Sequence, residues 1–379
     1  MSARFLTAVS GRAFNMRDRF GREIDYMRIS VIDSCNLNCY YCNPQDNNKK
    51  CQAINTLSVK RVLCIVRAAT RLGITHFRLT GGEPLLHPQI DEMVSQIKKI
   101  PGVRSVSLTT NAVLLAQHAK QLKEAGIDSI NVSLDTIDAS EYEQITKKPL
   151  LDKVEHGIDD AIECGIRVKI NVVLTPQTDV VALTRYASKK GTDIRFIEMM
   201  PVGEGHTNGV EPYEKVIGAL LEVYGNPCNI DTENREEINS GYNKYKEERK
   251  NSDNGPAEYY SFHGLDIRVG LIQAIHGKFC DTCNRIRVTA DGRLMPCLGS
   301  SVTMDLVPDS CEFTDDLEKD FVIVQALKAA IKAKPGCHNF NDNAVTYTKN
   351  TETKTVGTKA TELKAAEVNA ARNMSRIGG

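Results

Sequence analysis

From residue 27 to residue 200 the chain alternates six times between a short β-rich run and an amphipathic stretch of helical length. The runs are 27–32, 74–80, 104–109, 129–134, 167–174 and 193–199. Ser58 has the character of an N-cap for the first helix, and Gly73 of its stop. Gly126, Gly165 and Gly191 fall just past later helices, where a left-handed residue is wanted. Strand–helix units in series imply a parallel sheet. The expected fold is therefore α/β: an incomplete (β/α)6 TIM-like barrel with a smaller C-terminal α/β region. Such a barrel places its chemistry at the C-terminal ends of the strands.

Polar segments divide the rest. Residues 1–17 carry Arg4, Arg12 and Arg17 and no acid. They read as a flexible N-terminal extension or a short transit peptide. The barrel would occupy 18–230, followed by a polar insertion at 231–256 rich in Asn, Glu and Lys. Strands resume at 257–261 and 266–272, in a C-terminal domain spanning 257–340. A second polar stretch begins at 341, with a weak helix expected near 361–371. It belongs to a flexible tail, 341–379, ending in Gly378 and Gly379. The formal net charge is zero, so nothing global draws the chain to nucleic acid or a membrane surface. No apolar run approaches the roughly 20 residues that span a bilayer.

Twelve cysteines is a high count for 379 residues. A secreted, disulfide-stapled protein does not fit an α/β pattern of this length, so thiols serving metal are the better reading. Cys51, Cys64, Cys164, Cys228, Cys311 and Cys337 are scattered and read as inert thiols. The other six form two groups. Cys35-x3-Cys39-x2-Cys42 follows the first strand. Three thiolates on one short loop can bind three irons of a cubane, leaving the fourth iron open to a small chelating molecule. A structural zinc site wants four protein ligands, and the first histidine is His76. The loop resembles that of the radical S-adenosylmethionine superfamily, with Tyr41 as the aromatic before its last cysteine. Thr80-Gly81-Gly82-Glu83-Pro84 resembles the superfamily's Gly-Gly-Glu-Pro motif. The resemblance implies that Tyr41, Gly82, Glu83, Ser133 and Met200 contact S-adenosylmethionine, Glu83 through its amino group.

Cys280-x2-Cys283-x13-Cys297 offers a second trio. A second cubane with one open iron for substrate follows, or a zinc site completed by His276. The run 279–298 resembles the C-terminal cluster of the GTP 3′,8-cyclase family, which opens molybdenum-cofactor biosynthesis. Arg19-Phe-Gly-Arg22, Met27-Arg-Ile-Ser-Val31 and Lys334-Pro-Gly-Cys-His-Asn-Phe340 resemble it too. Ser34 and Asn43 depart from the family's Arg and Met.

Arg285 and Arg287 alternate along a strand and so project to one side. They read as charge balance for a cluster or as a triphosphate clamp. The resemblance implies the clamp and adds Arg28, Arg78, Thr109 and Lys169 as GTP contacts, with Arg28, Arg285 and Arg287 catalytic. A cation inside a barrel strand needs a counter-charge. The resemblance further implies two [4Fe–4S] clusters, S-adenosylmethionine, and a 5′-deoxyadenosyl radical that takes the ribose C3′ hydrogen of GTP. The product is (8S)-3′,8-cyclo-7,8-dihydroguanosine 5′-triphosphate. An external electron donor, a downstream pterin-forming synthase, paired subunits and a Gly378-Gly379 tail near the nucleotide belong to the same expectation. The compartment would be the cytoplasm, or the mitochondrion if the N-terminus is a transit peptide. The alternatives are a peptide-modifying radical S-adenosylmethionine enzyme and a non-enzymatic zinc-binding scaffold.

Overall fold

The structure, a computed structural model, describes residues 16–42, 54–201, 213–229, 255–300, 302–306, 316–338 and 340. Six parallel strands form its centre: β1 (Tyr26–Ser30), β2 (His76–Thr80), β3 (Ser105–Thr110), β4 (Ser129–Ser133), β5 (Arg167–Val173) and β6 (Asp193–Ile197). Helices α1 (Val59–Thr70), α2 (Ile90–Lys98), α3 (Leu115–Glu124), α4 (Ala139–Thr146), α5 (Leu151–Glu163) and α6 (Val180–Lys189) connect them. Ser58 caps α1 by accepting from the Arg61 amide. Gly126, Gly165 and Gly191 follow α3, α5 and α6 in left-handed conformation, as the sequence predicts. Helix α7 (Tyr213–Tyr224) follows β6.

The C-terminal strands are not a layer apart. β7 (Cys228–Asn229), β8 (Glu258–Ser261) and β9 (Val269–Ile272) add to the β6 edge, with β9 parallel to β6. β10 (Arg285–Val288), β11 (Arg293–Met295) and β12 (Met304–Asp305) add to the β1 edge, with β10 parallel to β1. One twelve-stranded sheet results, and it does not close on itself. The expected C-terminal region is thus split across both edges of the incomplete barrel. Helix α8 (Asp316–Ala333) packs on α1, and Arg71 Nη2 meets Asp320 Oδ2 at 2.7 Å.

Parallel strands covered on both faces usually read as continuous apolar runs. Here each central strand alternates. Met27, Ile29, Phe77, Leu79, Val106, Leu108, Ile130, Val132 and Phe196 are fully buried among the helices. Each fully buried side chain of this size is worth roughly 1.5–3 kcal/mol. The opposite face carries Arg28, Arg78, Thr109, Asn131, Lys169 and Arg195, because neighbours along a strand point to opposite sides. A sheet with one polar face encloses a polar chamber, where an ordinary barrel interior is filled with branched apolar residues.

Met16 and Arg17, assigned by sequence to the extension, pair with Ile24 and Glu23 and belong to the fold. The rest of the extension, all of the 231–256 insertion except residues 255 and 256, the helix expected near 361–371, and Gly378 and Gly379 lie outside the described residues. Among the described residues no helix is long and apolar enough to cross a membrane.

Candidate active site

The first cysteine loop begins five residues beyond β1, at the C-terminal end of the parallel strands. Backbone contacts press it against the loop after β2. Gly82 donates its amide to Ile32 O at 2.7 Å. A Cβ on Gly82 would stand 2.1 Å from Ser34 O, so no other residue fits. The Gly-Gly pair therefore has a structural duty to the cysteine loop besides any to a ligand.

Glu83 is fully buried and accepts from Thr110 Oγ1 at 2.6 Å, Asn111 N at 2.8 Å and Leu85 N at 3.0 Å. Burial pushes its carboxyl up to about 7, although those donors pull it down. A carboxylate has about four lone-pair sites, so one acceptor site remains for an ammonium. Tyr41 Oη donates to Asp135 Oδ2 at 2.5 Å and ties the loop to the end of β4. Burial raises Asp135 to about 6 and raises the Tyr41 phenol as well. Ser133 stands exposed at the end of β4. β6 stops at Ile197, two residues short of the run expected from sequence, and Met200 beyond it packs against Ile275 and Phe340.

Cys39 and Cys42 are half-buried and Cys35 is exposed; burial of the sulfurs pushes the thiols up, Cys35 to about 12 and Cys42 to about 11. Iron binds thiolates, and its charge reverses that preference. Leu37 N lies 3.5 Å from Cys35 Sγ and Asn111 Nδ2 3.7 Å from it. Donors of this kind around the sulfurs tune a cluster. The donor set therefore fits an iron–sulfur cluster.

The second trio is assembled by distant parts of the chain. Cys280 opens a 3-10 turn, Cys283 precedes β10 and Cys297 follows β11. Arg22, buried with Asp18, donates Nη1 to Cys280 O at 2.6 Å and to Gly336 O at 3.1 Å, and Nη2 to Pro335 O at 2.6 Å. Lys334, at the end of α8, donates Nζ to Arg285 O at 2.8 Å and Pro296 O at 3.0 Å. Burial pushes the Cys283 thiol up, but Lys334 and Arg285 outweigh it and hold it below its ordinary value. A sulfur poised toward thiolate between two cations fits a metal ligand. His276, the alternative fourth ligand, is hydrogen-bonded through Nδ1 to the buried Glu198. Cys337, read from sequence as inert, lies 3.5 Å from Cys280, sulfur to sulfur. Among the described residues no three His, Cys, Asp or Glu side chains converge closely enough to enclose a single ion. A cubane, with one thiolate per iron, asks for a wider spread.

Cations lie between the two trios. Arg287, Arg28 and Arg78 are register partners across β10, β1 and β2, one row of three on the polar face. Burial, then the charge of Arg287, lowers Arg28 well below the usual guanidinium value. Burial, then Arg285, brings Arg287 down to about 10. Across the chamber Lys169 is brought down to about 7 by burial and by Arg195. Arg195 was not singled out in the sequence. It is buried on β6, donates Nε to Asn171 Oδ1 at 2.9 Å, and its Nη2 has no hydrogen-bond partner. The two-residue period of β6 was the signal that would have found it. Arg287 Nη1, Thr109 Oγ1 and Asn131 Oδ1 are likewise buried with hydrogen-bonding capacity unused. Such groups call for an anionic, hydrogen-bonding occupant.

Two family models match the chain. The profile of the Radical SAM superfamily matches residues 29–183, and that of Molybdenum Cofactor Synthesis C matches residues 192–340. The fold resembles that of Streptococcus suis SuiB bound to S-adenosylmethionine, with a TM-score of 0.54 at 16% identity, over 80% of this chain and 65% of that one. Fold and cysteine loop together define a radical S-adenosylmethionine enzyme. The chain is 36% identical to a GTP 3′,8-cyclase of Clostridium perfringens over 335 residues, 86% of this chain and 95% of that protein. It is also 36% identical to one from Listeria monocytogenes over 327 residues, 85% of this chain and 92% of that protein. The chain belongs to the GTP 3′,8-cyclase family. Its cofactors are two [4Fe–4S] clusters and S-adenosylmethionine.

Proposed function

We propose that this chain converts GTP to (8S)-3′,8-cyclo-7,8-dihydroguanosine 5′-triphosphate, with the triphosphate held by the arginine row between the two cysteine trios. That row carries the reading. Three guanidinium groups in register on one face repel one another, and an anion between them offsets that repulsion. A triphosphate supplies the charge, and guanidinium forks match its oxygens. Arg28, Arg78, Arg285 and Arg287 bind it from one side. Lys169 binds from the other, and takes up a proton as it does so. Thr109 offers a hydroxyl to the nucleotide or the cofactor.

When bound, the first cluster would supply the electron that cleaves S-adenosylmethionine and so the hydrogen-abstracting radical. Cys35, Cys39 and Cys42 hold the first cluster, and Cys280, Cys283 and Cys297 the second. Glu83 accepts from the amino group of S-adenosylmethionine at its remaining acceptor site. Gly82, Tyr41, Ser133 and Met200 border that molecule. The chain's own task is to bind, orient and exclude water. The chain divides this work between a barrel at 18–230 and a cluster region at 257–340. An external reductant supplies electrons, a pterin-forming synthase takes the product, subunits pair, and the reducing cytoplasm keeps the thiols available.

Anaerobic incubation with dithionite, S-adenosylmethionine and either GTP or ATP tests the substrate. The expected result is 5′-deoxyadenosine with GTP and only background with ATP. Equal yields, or yield with a peptide instead, would overturn the assignment.

A further inference from the structure

We infer that Cys280 and Cys337 form a built-in disulfide pair, which takes Cys280 out of the second trio when that trio carries no iron. The two sulfurs lie 3.5 Å apart, although 56 residues separate them in sequence. Their approach is fixed from both sides. The Arg22 guanidinium bonds the carbonyl of Cys280 and those of Pro335 and Gly336, the two residues before Cys337. Beyond Cys337, His338 Nε2 bonds Ala274 O at 2.7 Å, and its ring lies 4.4 Å from that of Phe340. A thiol held on two sides against another is placed for exchange rather than left there by a mobile loop. Cys337 is exposed, whereas Cys280 is half-buried.

Exposure sets the order of events. The Cys337 thiolate attacks a small-molecule disulfide such as oxidised glutathione, forms a mixed disulfide and releases one small thiol. The Cys280 thiolate then attacks the Cys337 sulfur and releases the second. One protein disulfide forms, one small disulfide is reduced to two thiols, and the electrons balance. The product protects Cys280 from sulfinic and sulfonic acids, which cannot be reversed by thiols. It also leaves the second trio one ligand short until a dithiol restores it. Only this consequence for iron rests on reading Cys280 as a cluster ligand.

The test uses the full chain, freed of iron anaerobically, treated with oxidised glutathione, alkylated and digested with trypsin without reduction. The expected product is a cross-link between peptides 279–285 and 333–349, absent in Cys337→Ser, with fragmentation placing the bond at Cys280. Reconstitution of the oxidised chain without dithiol should load about half the iron of the dithiothreitol-treated chain, since one of two cubanes is blocked. Cys337→Ser should load fully under both conditions. Free alkylation of Cys280 and Cys337 after oxidation would overturn the pair, as would a bond from Cys337 to Cys283 or Cys297. A cross-link with undiminished iron would leave the pair standing and sink Cys280 as a cluster ligand.

Discussion

The two cysteine trios are made of the same three side chains but are built in opposite ways. Cys35, Cys39 and Cys42 sit on one loop, and most of what holds them comes from adjoining strand ends: Gly82 after β2, Asn111 after β3 and Asp135 after β4. Cys280, Cys283 and Cys297 are gathered by Arg22, early in the sequence, and Lys334, late in it. The first is a local motif on a finished barrel. The second exists only once the chain has closed around it. They should therefore fail differently.

Replacing Cys35 with Ala should abolish S-adenosylmethionine cleavage. Cys35 follows β1 whereas Cys283 precedes the parallel β10, at the other end of the strands, so roughly half the iron should remain, as iron analysis and spectroscopy of the reduced protein would show. Loss of all iron would mean that the sites are not independent. Arg22→Ala attacks the other trio from a distance. It strands Asp18 and three backbone carbonyls, and breaking such a buried pair costs roughly 3–5 kcal/mol. Thermal unfolding should register that loss, and iron should fall chiefly at the second site.

Arg287→Ala should weaken GTP binding by about 2 kcal/mol, roughly thirtyfold, with iron content intact. Equal loss of iron would make Arg287 a counter-charge for the cluster instead. Lys169 gives a pH test. Its value near 7 lies below that of a free lysine, so above pH 7 binding must take up a proton. GTP affinity should fall by up to roughly tenfold per pH unit above 7, and Lys169→Arg should flatten the profile by calorimetry. Tyr41→Phe should have the smallest effect, about 1 kcal/mol, from loss of one hydrogen bond to Asp135.

The same contrast explains what the sequence could reveal. The six central strands were legible because each carries its own two-residue alternation, and the glycine stops because left-handed backbone is a local demand. The first trio was legible for the same reason. Cys337 was not, because nothing near it in sequence hints at Cys280; the link runs through Arg22, some 300 residues away. The C-terminal strands looked like a separate region because pairing partners cannot be read from composition. β9 and β10 are consecutive in the chain, yet they lie at opposite edges of the barrel strands. Arg195 was missed for a simpler reason: it belongs to none of the motifs the sequence offers, although the two-residue period of β6 puts it on the chamber face, in register with Asn171.

The account's central claim is that the polar chamber between the two trios presents the ribose of GTP to the first. GTP deuterated at C3′ tests this most directly. The account predicts that 5′-deoxyadenosine recovered from an anaerobic turnover carries one deuterium, and that GTP deuterated elsewhere on the ribose gives none. Unlabelled 5′-deoxyadenosine from the C3′-deuterated substrate would contradict it.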